Sequence, residues 1–560
     1  MPRISPSSEA RLFCLLEGII MNRWTLLSAA TITLALSACK TTRPAGASST
    51  ASVSGPENPY CKSLGLPTKP LVTVSENAAL GAIAADFQLP TTTGDFVFSK
   101  AYTGCDNYLI VQDLPRQTRE FKTPLWLRDG PALLKSLPKN THVFFISMAR
   151  EDELRQLSLQ SIMDNVNGAL NGMTAADADH WRSHLHYVTV PIASVKGWLG
   201  EALANPGWGI GIDRFQKIRY VGNYSDPHRF EPSLDDFGPN LAMLANESIY
   251  YNFEAKREAA LAAEDALVVP VFKGESVVEK QDRIYADIEL PDASKMASFD
   301  GLELDLTAEC KGSAEVGECP AWDEALVFYV CDKDKPDNCN TEIGRWISTY
   351  HRIGRWVHDV TPFLPLLKDG GKRRFSFKFG QPYEMHLNLR LVKKAEAIKP
   401  VATTILFQET FGANFDQNYN KKRPAVKALI PASAKRVELV TVITGHGMQE
   451  PGNCAEFCDT THRFYVNGSK IERSFPETAD EYNCMKEVKN GTVPNQFGTW
   501  WYGRSGWCPG REVQAVRHDV TSLAQLGREN EFRYEGLFHG EPYPAAGAGF
   551  LLTAAVVVYE

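Results

Sequence analysis

The sequence predicts a multi-domain chain in which an N-terminal α/β domain precedes two tandem all-β domains. Three observations carry this. The 560 residues exceed what one hydrophobic core organises, so about three domains are expected. Up to residue 264 short apolar runs alternate with helical periods, the pattern of a layered α/β unit. Beyond that point many short alternating strands separated by Gly, Pro, Asn and Asp point to sandwiches or jelly rolls.

Residues 21–39 read as a lipoprotein signal. Met21 opens a short basic start and an apolar run too short to span a bilayer, ending in Leu36-Ser37-Ala38-Cys39. Small residues before a cysteine resemble a bacterial lipobox, which implies cleavage before Cys39, lipid on its sulfur, and Met21 as the true start. Lys40 after the cysteine resembles outer-membrane sorting. The expected location is therefore a lipid anchor on the bacterial outer membrane, in an oxidising periplasmic or surface compartment. Residues 40–59, rich in Ser, Thr, Ala, Pro and Gly, read as a flexible tether.

Residues 60–264 form the expected α/β domain. Tyr108–Gln112 and Thr141–Ser147 have strand character, and Gly130–Leu137 and Glu151–Asn165 have helical periods. The segment Gly81–Leu89 with Leu109–Val111 resembles the opening of thioredoxin-like and peroxiredoxin-like domains, and Trp208–Arg219 resembles that fold's closing hairpin. Cys105 lacks a CxxC partner, so redox catalysis is not expected. His180, His184 and His186 include an i, i+4 pair, but no HExxH glutamate accompanies them. They read as solvated histidines at a helix end, and no metal site is expected. Glu254–Asp265 reads as a charged connector helix.

Residues 265–397 and 398–560 are the two β-rich units. Ile284–Leu290, Gly301–Ala308, Ala325–Cys331, Phe375–Phe379 and Met385–Val392 are strands of the first. Thr404–Glu409, Arg436–Ile443, Arg463–Val466, Glu531–Glu535 and Phe550–Tyr559 are strands of the second. Each unit carries the same tetrapeptide, His358-Asp359-Val360-Thr361 and His518-Asp519-Val520-Thr521, leading through an apolar turn and a Gly into a strand. The echo predicts two related domains in tandem.

A net charge of −8 and a pI near 5.9 leave no basic stripe, so nucleic acid is not an expected partner. Setting aside Cys14 and Cys39, the other ten of twelve cysteines fall in close pairs behind a secretion signal and predict disulfides. The expected bridges are Cys61–Cys105, Cys310–Cys319, Cys331–Cys339, Cys454–Cys458 and Cys484–Cys508.

The chemistry concentrates in two stapled turns. Cys454-Ala-Glu456-Phe-Cys458 encloses a glutamate in a very small ring, a rigid way to hold a carboxylate; an incidental glutamate in a loop staple is the alternative. Cys310…Cys319 is followed at once by Pro-Ala-Trp322-Asp323. Carboxylates facing each other across a domain boundary can act as an acid/base set. Arg504 and the aromatic run Trp500, Trp501, Tyr502 and Trp507 complete a site suited to a polar ring-shaped substrate; two of these four aromatics serving simply as core is the alternative.

These residues carry a family resemblance. Cys310…Cys319-x-x-Trp-Asp323, GRWIST, GRWVHDVTPFLPLL, GHG…GNCAEFC and GTWWYGRSGWCPG are similar to the peptide-N-glycosidase F family, over roughly Leu267–Glu560. The resemblance implies two adjoining eight-stranded jelly rolls, preceded here by an extra N-terminal domain. It also implies an amidase that hydrolyses the glycosylasparagine bond of N-glycoproteins or glycopeptides, turning Asn into Asp, as a monomer without cofactor. Asp323 matches the principal catalytic aspartate, Glu456 the glutamate that orients water and polar groups, and Arg504 a charge-stabilising arginine. Glu384 is the candidate for a third acid contacting inner sugars. Trp322, Trp500, Trp501 and Trp507 are the candidate stacking faces.

Departures are Glu324 in place of a sugar-holding arginine, no tryptophan after Glu384, and none in Thr441–Met448. They bear on glycan range more than on reaction type. Two readings compete with the amidase. One is a non-catalytic glycan-binding surface lipoprotein. The other is a copper-dependent amidating monooxygenase, which His446 and His462 alone do not equip.

Overall fold

The computed structural model describes residues 58–113, 125–127, 129–204, 209–231, 236–277, 282–310, 316, 319–409 and 414–560. The expected signal, Cys39 and most of the tether lie outside the described residues. Among the described residues no helix is long and apolar enough to cross a membrane.

The N-terminal unit is built on a five-stranded sheet. Its spatial order is Leu185–Tyr187, Thr141–Ile146, Asn107–Gln112, Gly209–Ile212 and Ile218–Tyr220. The first three strands run parallel and the last two antiparallel. Asn107–Gln112 and Thr141–Ile146 are buried at every residue, as expected of strands covered on both faces. Helix Gly130–Ser136 falls where the periodicity places it, and the next, Asp152–Leu170, runs further than expected.

The expected connector is the end of a longer helix, Ala245–Ala263, which lies against the first β unit. Arg257 Nη1 donates to the Arg355 carbonyl at 2.8 Å, and Arg355 in turn pairs with Glu258 at 2.7 Å. At the start of this helix Glu247 is completely buried. Its carboxylate receives Arg352 Nη1 and Nη2 at 3.1 and 2.9 Å, Asn495 Nδ2 at 2.8 Å and the Gly222 amide at 2.9 Å. One carboxylate thus clasps all three chain regions.

Each β unit is a sandwich of antiparallel sheets. In the first, the order Ala266–Glu275, Tyr383–Val392, Gly301–Cys310, Gly354–Asp359 faces Arg283–Asp292, Gly370–Lys378, Ala325–Val330, Thr341–Ile347. A fifth strand on the latter sheet, Arg511–Glu512, is lent by the second unit and pairs with Trp346 and Ile347. In the second, Pro400–Glu409, Ala548–Tyr559, Arg436–His446, Val516–Asp519 faces Val426–Ile430, Arg528–Phe538, Thr460–Val466, Ser469–Ser474. Strands that the alternation does not reveal, such as Thr341–Ile347, are buried throughout or nearly so and have no polar face.

The repeated HDVT segment is a repeated structure. Asp359 and Asp519 each accept from the amide two residues on, at 2.9 Å in both. Thr361 and Thr521 each accept a strand amide, from Leu302 at 3.1 Å and Val437 at 2.9 Å. Val360 and Val520 donate back to the same two strands, at 2.9 and 2.8 Å.

The sandwiches meet along an apolar patch that includes Val327, Ile347, Val442 and Leu551. Beside it Arg345, fully buried, forks onto Glu342 at 2.8 and 2.7 Å and reaches Thr444 Oγ1 and the Leu551 carbonyl at 2.9 Å. All five expected disulfides are present.

Removing one partner of a buried ion pair leaves the other charged and unsolvated, at a cost of about 3–5 kcal/mol. Glu247→Ala is therefore expected to lower the unfolding free energy of the full chain, read from denaturant curves, by that order, whereas Ala at the exposed Glu481 leaves it unchanged.

Candidate active site

The stapled Glu456 is fixed by the backbone on both sides. Its amide donates to the Gly447 carbonyl at 3.0 Å, and its carbonyl accepts from Ser505 at 2.9 Å. Ser505 Oγ also bonds the Cys458 carbonyl at 2.9 Å, tying the small ring to the segment that carries Arg504. Only glycine fits at 445, because a Cβ there would stand 2.1 Å from the Ala455 carbonyl oxygen.

Arg504 is the centre of the site. It is 1 % exposed, and its Nε donates to Glu456 Oε1 at 3.0 Å while Nη2 stands 3.5 Å from Asp323 Oδ2. Its remaining donors go to the carbonyls of Thr499 and Tyr502, at 3.2 and 3.0 Å, and to the Tyr350 hydroxyl at 3.2 Å. The guanidinium also lies over the rings of Phe457 and Trp507, at 5.1 and 4.9 Å. Asp323 belongs to the first sandwich, and Glu456 and Arg504 to the second, so the cluster straddles the domain boundary.

Charge is unbalanced here: one buried cation faces two mostly buried carboxylates. Burial raises the Asp323 carboxyl above its ordinary value, against the opposing pull of Arg504 and the Tyr350 hydroxyl. Burial likewise raises Glu456; Arg504 opposes the shift and the charge on Asp323 reinforces it. Burial on its own would lower Arg504, but Tyr350, Asp323 and Glu456 hold it above its usual value. Tyr350 is pushed far up by burial and stays a neutral hydroxyl. Asp323 Oδ2 is buried yet accepts no hydrogen bond, its contact with Arg504 being longer than one. Such a lone pair is available to a reacting group.

Asp323 opens into a cleft of about 290 Å³ lined also by Asp282, Glu324, Lys378, Phe379, Gly380 and His446. Trp322, the residue before Asp323, is 68 % exposed. The turn bearing Trp322 is fixed by Ser348 Oγ and Gln381 Nε2, both 2.9 Å from the Trp322 carbonyl. Glu324 accepts from the Gly380 amide at 3.0 Å, and burial raises its carboxyl too.

The other expected residues are placed differently. Trp500 and Trp501 are fully buried; Trp501 packs edge-on at 5.1 Å against Phe237 of the N-terminal unit, so neither presents a face to a ligand. Trp507 is 6 % exposed, donates to the Gly445 carbonyl at 2.8 Å and stacks on His446, which makes it a wall behind Arg504. Glu384 lies on the long strand Tyr383–Val392. Tyr383 points inward to the Thr349 carbonyl at 2.8 Å, so the pleat turns Glu384 to the opposite face, across from Glu309.

Residues that the sequence did not single out also build the site. Tyr350 ends the GRWISTY run, and its amide donates to Gln496 Oε1 at 2.9 Å. Thr499 holds Arg504 through both its carbonyl and its hydroxyl. A polar aromatic immediately after a buried strand was the only available signal for Tyr350. Elsewhere, the histidines of HWRSHLH are not solvated: His186 is 8 % exposed, and Asp106, His142 and His184 converge in the N-terminal unit. Cys105 is bonded to Cys61.

Comparison with known proteins bears on this cluster. The family model described as "Peptide-N-glycosidase F, C terminal" matches residues 414–556. A curated relative, peptide-N(4)-(N-acetyl-beta-D-glucosaminyl)asparagine amidase F of Elizabethkingia miricola, is 25 % identical over 232 residues, 39 % of this chain and 63 % of the relative. The match thus spans less than two thirds of that relative's length. Among solved structures, PNGase F from Flavobacterium meningosepticum aligns with a TM-score of 0.42 and 18 % identity, over 53 % of this chain and 96 % of that one. PNGF-II aligns with a TM-score of 0.41 and 14 % identity, over 54 % and 67 %. Residues 414–556 are therefore similar to the C-terminal region of peptide-N-glycosidase F, and the sequence similarity to the amidase extends over 232 residues.

Proposed function

We propose that this protein is an amidase that hydrolyses the bond between asparagine and the first sugar of N-linked glycans. The observation that supports it most is the Asp323–Arg504–Glu456 cluster, a reactive geometry assembled from two jelly rolls. The relative that matches carries this activity in its name.

In this reading the glycosylasparagine linkage lies over Asp323, with the glycan along the cleft past Trp322. A water held between the carboxylates loses a proton to one of them as its oxygen adds to the side-chain amide carbon. The C–N bond then breaks, the nitrogen takes a proton, and the products are an aspartate and a glycosylamine. Asp323 Oδ2 is the better candidate for the proton acceptor, since its lone pair is uncommitted. Glu456, held by Arg504, orients the water. Arg504 keeps both acids in register and offsets charge that develops on the carbonyl oxygen. This is amide chemistry, so the spacing rule for glycosidic carboxylates has no bearing. Glu324 in the cleft, in place of a cation, favours glycans that present hydroxyl donors there.

The same proposal takes the substrate as N-glycosylated proteins or glycopeptides and the N-terminal unit as a thioredoxin-like domain without dithiol chemistry. It also takes the mature chain as secreted and lipid-anchored at Cys39.

Asp323→Asn is expected to reduce glycan release from a denatured glycoprotein by at least about 100-fold, read as loss of the asparagine-to-aspartate mass change. Retained glycoprotein binding by a wild type that leaves glycans intact would instead favour the glycan-binding reading.

A stability effect accompanies the loss of activity. A carboxyl raised in the folded state contributes stability while protonated and loses it as pH rises through the folded value. Asp323→Asn removes one of two negative charges from a site with a single cation. It should raise the melting temperature at neutral pH, by a stability of roughly 0.5–2 kcal/mol, with the gain vanishing on acidification below the ordinary aspartate range. A lower melting temperature at neutral pH would refute this charge balance.

A further inference from the structure

We propose that Asp106, His142 and His184 form a binding site for a divalent transition cation of the zinc type in the N-terminal unit. Ligand atoms of the three residues lie within 4.8 Å of one another, and Asp106 and His142 are buried. They come from different segments: Asp106 precedes the central strand, His142 lies in its parallel neighbour, and His184 ends the helix Ala175–His184.

The hydrogen bonds around the rings set up the donor atoms. His184 Nδ1 lies 2.8 Å from the His180 carbonyl, which can only accept, so Nδ1 carries the proton and Nε2 is a bare lone pair. His142 Nδ1 meets His186 Nε2 at 2.9 Å. With His142 as donor in that contact, its Nε2 is likewise bare and faces Asp106 Oδ2 at 3.5 Å. In that tautomer two acceptors face each other and a cation between them resolves the contact, whereas the other tautomer makes it the metal-free imidazole–carboxylate pair. Metal-bound histidines typically donate their second ring nitrogen in this way, which fixes tautomer and ring orientation.

The dimensions suit such an ion. Tetrahedral ligands 2.0–2.1 Å from zinc stand about 3.3 Å apart, close to the separation of His142 and Asp106. Asp106 is itself oriented, accepting from Asn58 at 2.6 Å and Thr103 at 2.7 Å. The His142 and His184 rings stack at 4.3 Å, so engagement turns the half-buried His184 ring toward Asp106. One helical turn earlier, His180 Nε2 is buried without a hydrogen-bond partner, a reserve donor 4.0 Å from His184 between ring centroids. Two nitrogens and one carboxylate favour zinc and its neighbours over magnesium or calcium.

The test uses the untagged full chain, stripped with chelator and dialysed against zinc chloride, with metal content measured per chain. The supporting result is one equivalent bound, a rise in melting temperature, and tetrahedral ligand-field bands when cobalt replaces zinc. His184→Ala should abolish uptake and His186→Asn should weaken it 10–100-fold, while His228→Ala, at an exposed position, leaves it unchanged. The cobalt bands keep the test decisive if His184→Ala fails to fold, because they report ligand type in the wild type. Absence of stoichiometric uptake, cobalt bands without nitrogen ligation, or unchanged uptake in a folded His184→Ala would overturn the site. In those cases His142 and Asp106 are a simple imidazole–carboxylate pair.

Discussion

The guanidinium of Arg504 organises the site. A carboxylate in a buried position needs a cation, and here one cation serves two, from different sandwiches. The geometry of the site is therefore the geometry of the domain boundary. Everything that fixes the two sandwiches relative to each other also fixes the separation of the acids: the Arg345–Glu342 fork, the apolar patch and the lent strand Arg511–Glu512. Arg504 is held by carbonyls and two aromatic faces as well as by charge, so it cannot follow one carboxylate away from the other.

The turn Ser348–Arg352 links this site to the rest of the chain. Ser348 supports the Trp322–Glu324 backbone, Tyr350 meets Arg504, and Arg352 pairs with Glu247 of the N-terminal unit. Five residues thus run from the Arg504 cluster to the N-terminal unit. A buried pair such as Glu247–Arg352 contributes little net stability compared with apolar packing, but it tolerates only one arrangement. That is a reason to find it where register matters.

Much of this was legible in the chain. Alternation located most exposed-faced strands, and the HDVT echo corresponds to a turn built twice with the same hydrogen bonds. Three bridges were legible because their cysteines lie 4 to 9 positions apart, where short loops leave few alternatives. Asp323, Glu456 and Arg504 stood out because each sits beside a cysteine staple, and the structure brings all three together. Trp500 and Trp501 misled for a physical reason. Aromatic clusters mark both sugar platforms and domain cores, and composition does not say which side is wet. The face on which Glu384 lies is set by the parity of a pleat, opposite to that of Tyr383. The histidines of HWRSHLH looked solvated because their partners, His142 and Asp106, are distant in sequence.

The sequence by itself determined the bridges and marked Asp323 and Glu456 beside two of them, since these depend on local spacing and residue chemistry. Only the tertiary structure decided which groups share a cation, which tryptophans are dry, and that a helix read as a connector reaches into the active-site scaffold through Glu247. Those outcomes depend on contacts between residues more than a hundred positions apart, such as Glu247 with Arg352 and Asp323 with Arg504. No local pattern records such contacts, because the free energy that selects them appears only when buried charge must find its partner.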